Sequence, residues 1–237
     1  MKGFVFDLDN TLFDRYATLS AIIIENFETI RPYINPVYTA AEAAEHFCRT
    51  ESLYLHLGQG WNSLYQILVQ ERFFHPNNIP TAEFFIGFIM QGYLKIGINF
   101  PFIFDLLEEI KSKGYKLGII TNGKRALQQG KLDLLGIESY FDTVVISGDY
   151  AALRCGDEGN QSFYKPNPDL FRYTAELLGE RPEDLYFVGD NAENDVVGSR
   201  NAGFVPIWVK SRSPWALSME DFPEIVVQDI SELRKFL

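Results

Sequence analysis

The sequence predicts an α/β protein: a doubly wound, mainly parallel sheet interrupted by an inserted α-helical cap domain. Three observations lead there. Short apolar runs end abruptly in polar residues, helical patterns separate those runs, and one interval between runs is far too long for a simple crossover.

Gly3-Phe4-Val5-Phe6 is the first run, and it meets charge at Asp7, as a buried parallel strand with a polar exit does. A helix expected over Pro101–Lys113 stops at Gly114 and leads into the second run, Tyr115–Ile120, which ends in Thr121-Asn122-Gly123. Thr143–Ile146 ends at Ser147-Gly148, and Leu185–Val188 ends at Gly189-Asp190. Phe204–Val209 and the weaker Ile225–Val227 complete the strands. Helices are expected over Arg125–Leu135, Pro168–Leu178, Asp195–Ala202 and Ile230–Phe236, and Ala151–Phe163 reads as an exposed irregular loop. A parallel crossover needs about a dozen residues, yet the first two strands lie much farther apart. The excess predicts a helical cap over residues 15–97, between core segments 1–14 and 98–237. Its expected helices are Ala17–Ile30, Ala40–Arg49, Asn62–Phe73 and Ala82–Ile96, with Phe84–Phe88 in the core. Hinges near Asp14–Tyr16 and Gly97–Pro101 adjoin strand ends, so the cap is expected to cover the site.

Composition excludes several classes. Hydrophobic residues make up 46% and charged residues 22%, which describes a folded chain rather than a disordered one. The net charge of -11, without a Lys/Arg cluster, argues against nucleic acid as a partner. No apolar stretch is long enough to span a bilayer, and Asp7 breaks the apolar start before a signal-peptide core forms. Cys48 and Cys155 fit no CxxC pattern and read as reduced thiols of a cytoplasmic protein. His46, His56 and His75 all fall in the cap, away from any metal-ligand spacing. Nothing in the sequence speaks to oligomeric state.

The polar residues at the strand ends carry the chemistry: Asp7 and Asp9, Thr121 with Asn122, Lys165, then Asp190 and Asp195. In doubly wound sheets, ligands sit beyond the carboxyl ends of the strands. Carboxylates gathered there repel a phosphate dianion by roughly 1 kcal/mol per charge pair at 4 Å in water, and by about 4 kcal/mol at intermediate dielectric. A divalent cation reverses that repulsion, and hard oxygen ligands with no Cys/His cluster favour Mg²⁺.

In this order the residues become specific. Asp7-Leu8-Asp9-Asn10-Thr11-Leu12 resembles the DxDxT signature of the haloacid dehalogenase (HAD) superfamily. Thr121 after Ile119-Ile120, Lys165 before Pro166, and Gly189-Asp190-Asn191-Ala192-Glu193-Asn194-Asp195 resemble its remaining motifs. The resemblance implies a Rossmann-like core and a Mg²⁺-dependent hydrolase of a small phosphomonoester. It implies Asp7 as nucleophile and Asp9 as general acid and base. Thr121, the Asn122 amide and Lys165 would hold the phosphoryl oxygens. Asp7, the Asp9 carbonyl, Asp190 and Asp195 would hold the metal, and Thr11 would order the turn. Relatives acting as haloalkanoate dehalogenases lack the second acid, so Asp9 favours phosphoryl transfer. A phosphomutase would share every core residue, and a non-catalytic binding protein on this scaffold should show eroded motifs. Phe13 and Arg15, with Trp61 and Tyr65, are candidates to contact substrate, although hinge or cap-core packing is the simpler reading of all four. The cap side chains that choose the ester do not follow any of these motifs.

Overall fold

The computed structural model describes residues 1–55, 60–210 and 217–237, so His56 lies outside the described residues. The chain divides into two compact units, Met1–Asp14 with Asn99–Leu237, and Arg15–Ile98. The first unit holds a six-stranded sheet, with β1 (Gly3–Phe6), β2 (Lys116–Thr121), β3 (Thr143–Ile146), β4 (Leu185–Gly189), β5 (Val205–Val209) and β6 (Ile225–Val227). Its order is β3-β2-β1-β4-β5-β6, and every pairing is parallel. The predicted doubly wound class is therefore the observed one. Strand β1 lies between β2 and β4, with Phe4, Val5 and Phe6 fully buried. That explains its unbroken apolar run, since helices cover both faces of such a sheet. The order reverses at β1 and β4, the switch point where a crevice opens.

The second unit is helical: α1 (Arg15–Glu25), α2 (Phe27–Ile30), α3 (Ala40–Leu55), α4 (Trp61–Gln70) and α5 (Ala82–Tyr93). Phe47, Phe73, Phe74 and Phe85 form its aromatic centre, with Phe74 and Phe85 edge to face at 4.9 Å. Thr81 caps α5 by accepting from the Phe84 amide. Phe84 itself is 44% exposed and its ring meets Tyr33 at 5.0 Å. The expectation of a wholly buried Phe84–Phe88 stretch fails there, because a helix turns only part of its surface inward. His46 pairs with Glu71 at 2.9 Å and meets the Tyr38 hydroxyl, and His75 accepts from the Asn77 amide.

In the first unit the helices are α6 (Ile103–Ser112), α7 (Arg125–Leu135), α8 (Ser147–Cys155), α9 (Pro168–Leu178) and α10 (Gly198–Ala202). Three expectations need correction. The segment expected as an irregular loop from Ala151 is helical through Cys155, because Tyr150 and Ala151 are buried and Gly156, at φ 76°, ends the helix. A turn and a short 3₁₀ segment, Gln161–Phe163, complete that interval. The helix expected from Asp195 begins earlier, as a π-helical turn over Ala192–Val197 that continues into α10. Ile230–Phe236 is 3₁₀ rather than α, the tighter winding that short terminal segments often take. No helix among the described residues is long and apolar enough to cross a membrane.

Candidate active site

The turn after β1 builds the first part of the site. The Asp7 amide donates to the Val188 carbonyl at 2.9 Å, one step beyond the β1–β4 pairing, and fixes Asp7 at the strand end. The chain then reverses. The Leu8 carbonyl accepts from the amides of Thr11, Leu12 and Phe13 at 3.4, 2.9 and 2.9 Å, while Asn10 adopts φ 59°. Asn tolerates that left-handed conformation better than most residues, so it suits the bend. Thr11 lies fully buried inside it.

The opposite wall comes from β4 and the π-helical turn. The Asn191 side-chain oxygen caps the turn by accepting from the Glu193 and Asn194 amides, while Asp195 Oδ2 accepts from the Asn191 amide. Trp208, buried on β5, donates through Nε1 to the Asp190 carbonyl at 2.8 Å. These bonds bring Asp190 and Asp195 to Asp7, and one carboxylate oxygen from each lies within 4.8 Å of the others. All three residues are buried. Gly189 leaves room for this arrangement, since a Cβ there would lie 2.5 Å from Asp195 Cγ and 2.6 Å from its Cβ. Gly189→Ala is therefore expected to displace Asp195. It should destabilise the fold by about 1–3 kcal/mol, as overpacking does, and lower turnover by about 10²-fold through misplacement. Chemical denaturation and steady-state kinetics check both effects.

Lys165 joins the cluster with Nζ 2.5 Å from Asp7 Oδ1 and 2.7 Å from Asp195 Oδ1. Its backbone is held by Asn122, whose side-chain oxygen accepts from the Lys165 amide at 2.8 Å and whose Nδ2 donates to the Lys165 carbonyl at 3.0 Å. The Asn122 side chain thus orients the lysine, an arrangement no linear spacing shows. Burial pushes the Asp7 carboxyl well above the usual carboxylate range; Lys165 opposes this, and the charges of Asp195, Asp190 and Asp9 reinforce it. Burial alone would lower the Lys165 ammonium, but Asp195 and Asp7 outweigh it and raise that group.

Charge arithmetic shows what the cluster can hold. Three ionised carboxylates against one lysine leave two negative charges. Two unit charges about 4.8 Å apart repel by about 3–4 kcal/mol at an effective dielectric of ~20. A divalent cation bound by hard oxygens restores neutrality, so the residues fit Mg²⁺.

The second aspartate of the signature is held elsewhere. The Asp9 carboxylate is not part of the triad; it accepts from Lys131 Nζ at 2.7 and 2.8 Å and from Gln128 Nε2 at 3.2 Å. Gln128 also donates to the Thr121 hydroxyl. Sequence reasoning missed Gln128 and Lys131, both buried on α7. Their spacing of three residues on a helix behind the Thr-Asn-Gly turn was the available signal.

The remaining candidates are placed as follows. Phe13 is fully buried, and Lys131 Nζ lies 5.2 Å from the centre of its ring. Within the helical unit, Arg15 pairs with Glu51 at 2.5 Å and its guanidinium lies 5.7 Å from the centre of the Trp61 ring. Tyr65 is buried and donates its hydroxyl to the Pro80 carbonyl.

Comparison with known proteins places this chain in a family. The family model for haloacid dehalogenase-like hydrolases matches residues 1–203. Glyceraldehyde 3-phosphate phosphatase of Methanothermobacter thermautotrophicus is 27% identical, with both chains covered completely. N-acylneuraminate-9-phosphatase of Mus musculus is also 27% identical, covering all of this chain and 94% of that one. Among solved structures, the HAD-hydrolase YfnB from Bacillus subtilis bound to magnesium matches the fold with a TM-score of 0.74 at 18% identity, covering 100% and 98% of the two chains. The HAD phosphatase from Thermococcus onnurineus matches with a TM-score of 0.60 at 25% identity, covering 100% and 97%. The acidic cluster at the switch point of a parallel sheet and these matches along its length agree: the chain belongs to the haloacid dehalogenase-like hydrolases and is a phosphoric monoester hydrolase among them.

Proposed function

We propose that the chain hydrolyses a small phosphomonoester through an aspartyl-phosphate on Asp7, with Mg²⁺ as cofactor. One observation carries this reading: Asp7, Asp190 and Asp195 converge within 4.8 Å, while Lys165 reaches Asp7 from the same cluster. Asp7, the Asp9 carbonyl, Asp190 and Asp195 are assigned to the metal. Bound there, Mg²⁺ would supply positive charge to the phosphoryl group and offset its repulsion by the carboxylates.

The residues then divide the work. An Asp7 carboxylate oxygen attacks phosphorus, and the bond from phosphorus to the ester oxygen breaks. Asp9, protonated for this step, gives its proton to the departing oxygen. In the second step Asp9, now a carboxylate, takes a proton from water as the water oxygen attacks phosphorus. The bond from phosphorus to Asp7 breaks and inorganic phosphate leaves. Thr121, the Asn122 amide and Lys165 are assigned to the nonreacting phosphoryl oxygens, where fixed donors are worth most as charge develops.

The helical unit, Arg15–Ile98, is assigned the role of a substrate-selecting cap. The glyceraldehyde 3-phosphate and N-acylneuraminate 9-phosphate phosphatases among its relatives support a small phosphorylated sugar or sugar acid as substrate. Free thiols at Cys48 and Cys155 are consistent with the reducing, cytoplasmic setting we propose. A panel of sugar, sugar-acid, nucleotide and two-carbon phosphates, assayed for phosphate release with and without Mg²⁺, tests the reading. We expect release only with the metal and strongest on one chemical group of esters. Equal release with metal chelated, or none from any ester, would overturn it.

A further inference from the structure

We propose that Lys131, assisted by Gln128, is a positioning residue for Asp9, tying the proton-transfer carboxylate to the phosphate-holding Thr121. The proposal rests on the role given to Asp9 above.

Helix α7 presents Gln128 and Lys131 three residues apart, on one face. Both side chains would be at home in solvent, yet Gln128 is 1% and Lys131 2% exposed. Residues nearby do the ordinary thing. Lys124 and Arg125 stand exposed and pair with Glu158 and Asp149 at the surface. Burying a lysine costs desolvation and freezes a long flexible chain, so it persists where the ammonium meets a well-placed partner. Here the partner is Asp9, whose two oxygens lie 2.7 and 2.8 Å from Nζ, with the Phe13 ring beneath the same ammonium. Lys165 serves Asp7 and Asp195 in the neighbouring cluster. The two buried lysines therefore serve different carboxylates.

Gln128 makes the link. Its Nε2 donates to Asp9 Oδ2 and to the Thr121 hydroxyl, so one amide spans the carboxylate and the end of β2. Gly123, at φ 144°, leaves space for it, since a Cβ there would meet Gln128 Cγ at 3.0 Å. The Asp9 side chain keeps 18% of its surface exposed, so it is anchored without being enclosed. Three donor contacts restrict its rotamer and fix its distance from Thr121. Losing that restraint misplaces the Asp9 carboxyl group relative to the departing oxygen and the later water, which lowers turnover while leaving substrate affinity intact.

The test compares Lys131→Met, Lys131→Arg and Asp9→Asn in the full chain with Mg²⁺, using p-nitrophenyl phosphate and a simple alkyl phosphate. Lys131→Met is expected to lower kcat on the alkyl ester by about 10²-fold, with KM within about threefold and a smaller loss on the aryl ester, which needs less proton donation. Lys131→Arg should recover most of that loss, since it restores a cation to the same carboxylate. If Lys131→Met does not fold, as judged by its melting curve, Lys131→Gln carries the same comparison. A Lys131 variant with kcat within threefold of wild type, beside a strongly impaired Asp9→Asn, overturns the positioning role alone. Losses equal on both esters, matched to melting temperature and not recovered by arginine, overturn it as well. An Asp9→Asn enzyme as active as wild type on both esters removes the role of Asp9 and this proposal with it.

Discussion

Asp7→Asn is expected to lower hydrolysis of p-nitrophenyl phosphate in Mg²⁺ buffer by about 10⁴–10⁶-fold, the range seen when an enzyme loses its nucleophile. The substitution keeps the shape of the side chain but replaces the attacking carboxylate oxygen with an amide. Asp195 is already paired with Lys165 and Asp9 is held by Lys131, so neither carboxylate is placed to replace the lost oxygen. The fold should survive the change. Asp7 is a buried carboxyl whose ionisation is opposed first by burial and further by Asp195, Asp190 and Asp9, so its removal relieves repulsion. Lys165 keeps its 2.7 Å contact with Asp195, which prevents the buried ammonium from being stranded. A melting temperature at or above that of the wild type, together with the lost activity, would separate chemistry from folding. Wild-type turnover in the folded variant would end the covalent reading.

Magnesium is expected to raise the melting temperature at pH 7.5, and the increment should shrink as the pH falls toward 5. Asp7 holds its proton more tightly in the folded chain than its ordinary value of about 3.9 allows in the unfolded one. For a carboxyl raised in this direction, the stabilising contribution is complete below the unfolded value and is lost as the pH rises through the folded one. The metal-free protein thus carries its electrostatic strain at neutral pH, where Mg²⁺ binds the ionised carboxylates. At lower pH, protons compete for the same oxygens. A cation present at about 100 times its dissociation constant stabilises by about 2.7 kcal/mol, which for a chain of this size is roughly 5–10 °C. Differential scanning fluorimetry with Mg²⁺ and with chelator, at both pH values, measures it. An increment that is the same at both pH values, or undiminished in Asp190→Asn, would count against a metal held by these three residues.

The fold was legible in the sequence because parallel strands buried on both faces announce themselves as unbroken apolar runs. β1 and β3, and the helices α7 and α9, occur over the predicted residues. What failed did so for local reasons. The Gly156-Asp157-Glu158-Gly159 stretch made the preceding residues look irregular, while burial of Tyr150 and Ala151 sustains a helix through Cys155. The π-helical turn at Ala192 could not be foreseen from periodicity, since its side chains follow neither the α-helical nor the strand repeat.

The sequence by itself determined the sheet, its polar strand ends and the identity of the acids, because strand burial and motif order are written in adjacent residues. Only the tertiary structure decided how those acids are distributed. Asp7, Asp190 and Asp195 converge, the first and last of them on Lys165, while Asp9 stands apart with Lys131 and Gln128. Likewise, the Asn122 side chain orients Lys165 across 43 positions of sequence. The physical reason is that a buried charge is stable only beside a partner supplied by another element, and that pairing depends on which strands and helices lie side by side.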